Sequence, residues 1–224
     1  FAVIPPVRHV ASGRTERLET IANVWKDRSL VNVGPQLKGY PEGELAVVPS
    51  TELQHLTSAQ TAAIDQPYGS EDQLELSENK YHILDLGANL TGFLGARIRC
   101  STKTRLAFTF DEILSGTDVD FKRLGCVNAV SYELEPGEYQ VESLEPYTLR
   151  YWKLLCQQGA CTLRGLYLRE CAHPAIQQAQ FACSDQRLDR LFAAGVLTFR
   201  QNALDVFMDC PSRERAGWLC DSYF

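Results

Sequence analysis

The chain has 224 residues, 45% of them apolar and 22% charged, and a net charge of −6. That balance is ordinary for a globular protein and too apolar for a disordered one. No stretch approaches the roughly 18 unbroken apolar residues of a membrane helix, and no Lys/Arg block offers a surface to a nucleic-acid backbone, so a neutral, polar ligand suits the chain better than a bilayer or a nucleic acid.

In chain order, residues 1–43 read as an irregular N-terminal segment. Pro5-Pro6, Gly34-Pro35 and Gly39-Tyr-Pro41 break any pattern, with Trp25 and Leu30-Val31 as apolar anchors. Residues 44–172 have a clear rhythm. Leu45–Val48 is a short apolar run, and Tyr81, Ile83 and Asp85 alternate with His82, Leu84 and Leu86. Leu94, Ala96, Ile98 and Cys100 share one face, and Leu106, Phe108 and Phe110 repeat the period. Val130, Tyr132 and Leu134, then Leu149, Tyr151, Lys153 and Leu155, then Leu166 and Leu168 continue it. A period of two places alternate side chains on one buried face. Turn signals fall at Asn89, Gly116, Glu135-Pro136-Gly137 and Gln158-Gly159. Short strands so spaced predict a mainly β, jelly-roll-like sandwich.

At His173-Pro174 the period changes. Ser184 and Asp185 are cap residues, and Leu188, Leu191, Phe192, Val196 and Phe199 follow at helical spacing. A helix over 184–203 is expected, then a second one starting at Pro211. The chain opens at Phe1 without Met or a signal-peptide pattern and stops at Phe224 inside a run of polar side chains. It therefore reads as a fragment of a longer protein, with 173–224 the opening of a helical domain.

Eight cysteines lie at 100, 126, 156, 161, 171, 183, 210 and 220, with no Cys-x-x-Cys pair and no His at zinc-ligand spacing. Most read as small buried thiols, which leans towards a reducing compartment; a Cys156–Cys161 disulfide across a glycine turn is left open. Nucleotide-binding glycine loops, His-Glu-x-x-His and Gly-x-Ser-x-Gly are absent. No metal or other cofactor is called for.

The segment Asp209-Cys-Pro-Ser-Arg-Glu-Arg-Ala-Gly-Trp-Leu-Cys-Asp221 gathers three carboxylates, two guanidinium groups and an indole into thirteen residues. On a helix from Pro211, Glu214, Trp218 and Asp221 would share a face, with Asp209 at its mouth. Carboxylates can fork onto adjacent sugar hydroxyls, an indole can pack on the apolar face of a pyranose ring, and one acid can deliver a proton. A cap, a solvated charge cluster and a core tryptophan is the competing reading of the same residues.

This segment closely resembles the signature of the α-L-rhamnosidases of glycoside hydrolase family 78. Phe110-Asp-Glu-Ile-Leu114, Glu145-Pro-Tyr-Thr-Leu-Arg-Tyr151 and Leu168-Arg169-Glu170 resemble the β-sandwich that precedes the catalytic domain in that family. The resemblance implies a sandwich followed by the start of an (α/α)6 barrel, and inverting hydrolysis of terminal α-L-rhamnosides. It implies Glu214 as the general acid, with Asp209, Arg213, Trp218 and Asp221 binding the sugar. The family's general base, a downstream Glu, has no counterpart here, so the 224-residue chain alone is expected to be inactive. A rhamnose-containing glycoside or polysaccharide is the implied partner; no oligomeric state follows. A non-catalytic carbohydrate-binding module and a glycosidase of different sugar specificity are the alternatives. Arg213 and Arg215 would strip the proton from Glu214 if they faced it, so its role as an acid requires them to point away or to pair with other carboxylates.

Overall fold

The structure, a computed structural model, describes residues 2–20, 54–174, 176, 180–204 and 206–218. Ten strands follow in order: β1 (Val3–Ile4), β2 (Arg8–Thr20), β3 (Gln54–Pro67), β4 (Gln73–Ser77), β5 (Lys80–Cys100), β6 (Thr104–Asp111), β7 (Ala129–Leu134), β8 (Gly137–Glu142), β9 (Tyr147–Gln158) and β10 (Ala160–Glu170). One long helix, α1 (Gln186–Asn202), comes after them. All the strand pairs are antiparallel. The mainly β sandwich followed by helical structure is as expected from the change of period near residue 175.

β5 joins the two layers. Its first part, Lys80–Asp85, pairs with β2 on one side and β9 on the other. The register breaks between Asp85 and Leu90, and the second part pairs with β10 and β8. Gly87 makes the bend at φ +82, and its N–H donates to Asp85 Oδ1 at 2.7 Å. One layer therefore runs β3–β2–β5–β9–β6–β7 and the other β4–β10–β5–β8, with β1 also on β10. Asn89, read as a turn, lies in this break and not between separate strands.

The main core fills the space between the layers. Leu84, Leu94, Leu106, Phe108, Trp152, Leu154 and Leu163 are fully buried there. A second cluster, Tyr81, Ile83, Ala107 and Leu155, covers the outer face of the first layer, where Val119 and Phe121 of the β6–β7 connection cap it. Burial on both faces is why Tyr81 and Ile83 are apolar as well as Leu84 and Leu86 on the opposite face. The connection is also held by charge. Lys153, 1% exposed, donates from Nζ to Asp118 Oδ1 at 2.7 Å and Ser58 Oγ at 2.8 Å.

Residues 1–43 depart from the irregular reading, because Arg8–Thr20 forms a 13-residue strand. Its own alternation is weak. It is strand because β5 and β3 supply hydrogen-bonding partners on both edges, so tertiary pairing outweighs propensity. Trp25, Leu30-Val31 and Leu45–Val48 lie outside the described residues. Cys100, Cys156 and Cys161 are buried free thiols in the main core, so the Cys156–Cys161 disulfide left open by the sequence is not formed.

Candidate active site

α1 is built as its sequence prescribes. Asp185 caps it, its side chain accepting from the Arg187 N–H at 3.0 Å. The helix is fastened to the sandwich through its last turn. Gln201, 4% exposed, donates to the Asn89 carbonyl at 2.9 Å and accepts from Thr91 at 2.8 Å. Arg200 pairs with the buried Glu170 at 2.7 Å. Upstream of that turn the apolar stripe is open: Leu188, Leu191 and Phe199 are all exposed.

The signature loop follows directly, and the second helix expected at Pro211 is not formed among the described residues. Pro211–Glu214 make a turn, and Met208 and Gly217 form an antiparallel bridge. Two side chains take the groups that a helix would need. The Asp209 carboxylate accepts the Ala216 N–H at 3.1 Å, and the Arg215 Nε donates to the Pro211 carbonyl at 3.2 Å. Arg215 adopts φ +52, and Gly217 is a poor helix former. The helical face shared by Glu214, Trp218 and Asp221 is therefore replaced by a closed loop. Asp221 lies outside the described residues.

The loop still brings acids together. The Asp209 N–H donates to the Ala216 carbonyl at 3.0 Å, closing a double contact around Cys210–Arg215. Burial works against the charge of Asp209, but the backbone N–H groups of Ala216 and Cys210 outweigh it. A hydrogen bond shared with Glu214 adds to them, and the Asp209 carboxyl sits below its usual range.

The two arginines behave differently. Arg215 Nη1 reaches Glu145 Oε2 at 3.2 Å, and its guanidinium lies 5.5 Å from the Tyr147 ring centroid. It thus pairs with another acid and ties the loop to the β8–β9 connection. Arg213 Nη2 instead donates to Glu214 Oε1 at 2.9 Å. The expectation that both would leave Glu214 alone holds for Arg215 and fails for Arg213. Trp218 is half exposed at the loop's end. Glu145 was not singled out as a site residue from the sequence; its signal was the Glu-Pro-Tyr stretch it opens.

A concavity of about 420 Å³ is lined by β4, β5 and β10 residues such as Glu75, Lys80, Arg99 and Thr162, and it shares no residue with the loop. Among the described residues no cluster of His, Cys, Asp and Glu could hold a metal ion, and no helix is long and apolar enough to cross a membrane.

Comparison with known proteins bears on the family and the fold. Residues 176–224 match the family of the bacterial α-L-rhamnosidase six-hairpin glycosidase domain. The GH78 rhamnosidase of Bacillus sp. GL1 is 25% identical over 70% of this chain, with a TM-score of 0.59. The rhamnosidase from Klebsiella oxytoca, solved with rhamnose bound, shares the fold over 97% of this chain at 18% identity and a TM-score of 0.62. The chain spans only 16% and 38% of those two proteins. No curated protein matches it in sequence. In signature and in fold the chain is similar to the family 78 α-L-rhamnosidases, which are glycoside hydrolases.

Proposed function

We propose that these residues form the sandwich (44–172) and the first part of the catalytic barrel (173–224) of an inverting α-L-rhamnosidase. Glu214 is the general acid that protonates the glycosidic oxygen as the bond to C1 breaks. Asp209, Arg213, Trp218 and Asp221 hold the rhamnose, the carboxylates by accepting from its hydroxyls and the indole by packing on its ring. Water attacks C1 from the opposite face. Inversion needs a second carboxylate roughly 6.5–9.5 Å from the acid to activate that water, and none of the five candidate residues fills that role. Residues 1–224 alone are therefore proposed to be inactive on rhamnosides.

The observation that carries the reading is the match of residues 176–224 to the bacterial α-L-rhamnosidase six-hairpin glycosidase domain, with Asp209 and Glu214 held on one closed loop. Arg213 pairs with Glu214 in this structure, so the acid role calls for substrate to draw Arg213 away. In the protein at its full natural length, Glu214→Gln is expected to lower turnover by about 10²–10⁴. The substrate should be an α-L-rhamnoside with a poor leaving group, which depends most on acid help. Near-normal turnover by the variant would reject the assignment. Rhamnose binding without turnover by the wild type would favour the binding-module alternative.

A further inference from the structure

A cavity of about 250 Å³ lies between the signature loop and the β6–β7 connection of the sandwich. Polar groups reach it from both sides, beside Leu124, Cys126 and Cys210. The sandwich contributes Asp111, Glu112, Arg123 and Asn128, and the loop contributes Ser212 and Arg213. The sandwich wall is rigid where it matters. Asp111, 1% exposed, grips Arg123 with two bonds of 2.6 and 2.7 Å, and Glu112 lies 3.6 Å from the same guanidinium. Val119 and Phe121 anchor the connection in the second core.

We propose that this cavity is the leaving-group subsite and that it takes a hydroxyl-bearing sugar unit. The proposal rests on the rhamnosidase reading above. A general acid stands between the sugar being released and the group that departs, because it protonates the oxygen joining them. Glu214 Oε1 accepts from Arg213 Nη2 at 2.9 Å, and the Arg213 side chain lines the cavity. Asp209 and Trp218, also assigned to the rhamnose, do not line it, so the cavity adjoins the rhamnose position through Arg213 and extends from it towards the sandwich.

The lining selects the chemistry of the occupant. Carboxylate, guanidinium, amide and hydroxyl groups suit adjacent sugar hydroxyls, as donors and acceptors in one wall. Among the described residues no aromatic ring lines the cavity, so a flat aromatic aglycone finds nothing to stack on. The volume is below the usual range of roughly 300–1,000 Å³ for a drug-sized ligand, which fits one pyranose better than a polycyclic aglycone. The exposed Leu124 stands at its edge. An occupant hydroxyl that accepts from Arg213 would compete with Glu214 for this cation.

The test compares two substrates in the protein at its full natural length, a rhamnosyl disaccharide and a nitrophenyl α-L-rhamnoside. The variants are Glu112→Gln, which removes an acceptor, and Leu124→Trp, which fills the edge from an exposed position and spares the core. Each is expected to lower the ratio of kcat/KM for disaccharide over aryl rhamnoside by about tenfold, through the loss of one charged hydrogen bond in Glu112→Gln and of room for the sugar in Leu124→Trp. An unchanged ratio in both folded variants would overturn the subsite while leaving the rhamnosidase reading intact. Wild-type protein that hydrolyses neither substrate would overturn both.

Discussion

The sandwich and the segment after it solve different problems. In the sandwich the large apolar residues of β5, β6 and β9 are packed away. Trp152, Phe108 and Leu154 have no exposed surface, and β5, β6 and β9 are covered on both faces in the first layer. In α1 the apolar stripe is as regular in sequence, yet Leu191 is 69% exposed and Leu188 and Phe199 are each 49% exposed. What holds the helix is polar: Gln201, Arg200 and the buried Glu170. A periodic pattern therefore says which face is apolar, not that the face is covered within the same residues. The catalytic candidates sit at the seam, on a loop that the sandwich steadies through Glu145 and Arg215.

The sharpest way to break this contrast is a pair of truncations. Trp152→Ala should cost about 3–5 kcal/mol, as large-to-small changes in a packed core do. Leu191→Ala should stay within about ±0.5 kcal/mol, as exposed substitutions do. Urea unfolding followed by intrinsic fluorescence for Leu191→Ala, and by circular dichroism for Trp152→Ala, measures both. Similar losses would mean that the helix stripe is buried as fully as the core.

Next comes the bend of β5. Asp85, 6% exposed, accepts from Arg150 Nε at 2.9 Å and Nη2 at 3.0 Å, and from the Gly87 N–H. Burial opposes its charge, but these bonds outweigh burial and hold its carboxyl below the ordinary range. A depressed carboxyl adds stability above the unfolded value of about 3.9, and this is lost as pH falls through the folded value. Asp85→Asn should thus cost about 1.5–3 kcal/mol at pH 7, and the deficit should shrink as pH drops below about 3.9. A deficit that is independent of pH would show that shape, not charge, sets the bend.

Smaller still is the helix anchor. Gln201→Ala leaves the Asn89 carbonyl and a Thr91 hydroxyl without their partner in a buried seam, at about 1–3 kcal/mol. The cost should fall on the helix and not on the sandwich. Hydrogen exchange should rise in 186–202 while β5 and β9 keep their protection. Equal loss of protection in both would mean that the two regions unfold as one unit.

The sandwich was legible where burial imposes a period on one strand. Leu106–Phe110 and Leu149–Leu155 announce themselves because alternate residues face the core. β2, β3, β4 and β8 were missed. β2 carries Ser12, Gly13 and Arg14 between its few apolar residues, so its strand character comes from neighbours brought together by the fold. Asp209 and Glu214 were singled out through residue chemistry and family resemblance, and they lie on one closed loop. The route was wrong, because no propensity reveals that the Asp209 carboxylate and the Arg215 guanidinium replace helical hydrogen bonds. The cavity beside them draws on residues about ninety positions apart, a juxtaposition that spacing cannot show.

The smallest effect tests whether the sandwich also has a part that behaves like the exposed segment. Leu124, at the tip of the β6–β7 connection, adopts φ 59 and ψ 21 and is 66% exposed. An L residue held there costs roughly 1–2 kcal/mol. Leu124→Gly removes that strain, loses little buried surface, and adds roughly 0.5–1 kcal/mol of chain entropy to overcome. Strain is the larger figure, so a net gain of about 0.5–1 kcal/mol is expected, a rise of about 1–4 °C in Tm for a chain of this size. Leu124→Asn separates the two terms, because asparagine tolerates this conformation without glycine's freedom. It should stabilise at least as much. If both variants lower Tm, the Leu124 side chain is stabilising in place, and the tip belongs energetically with the core beneath it.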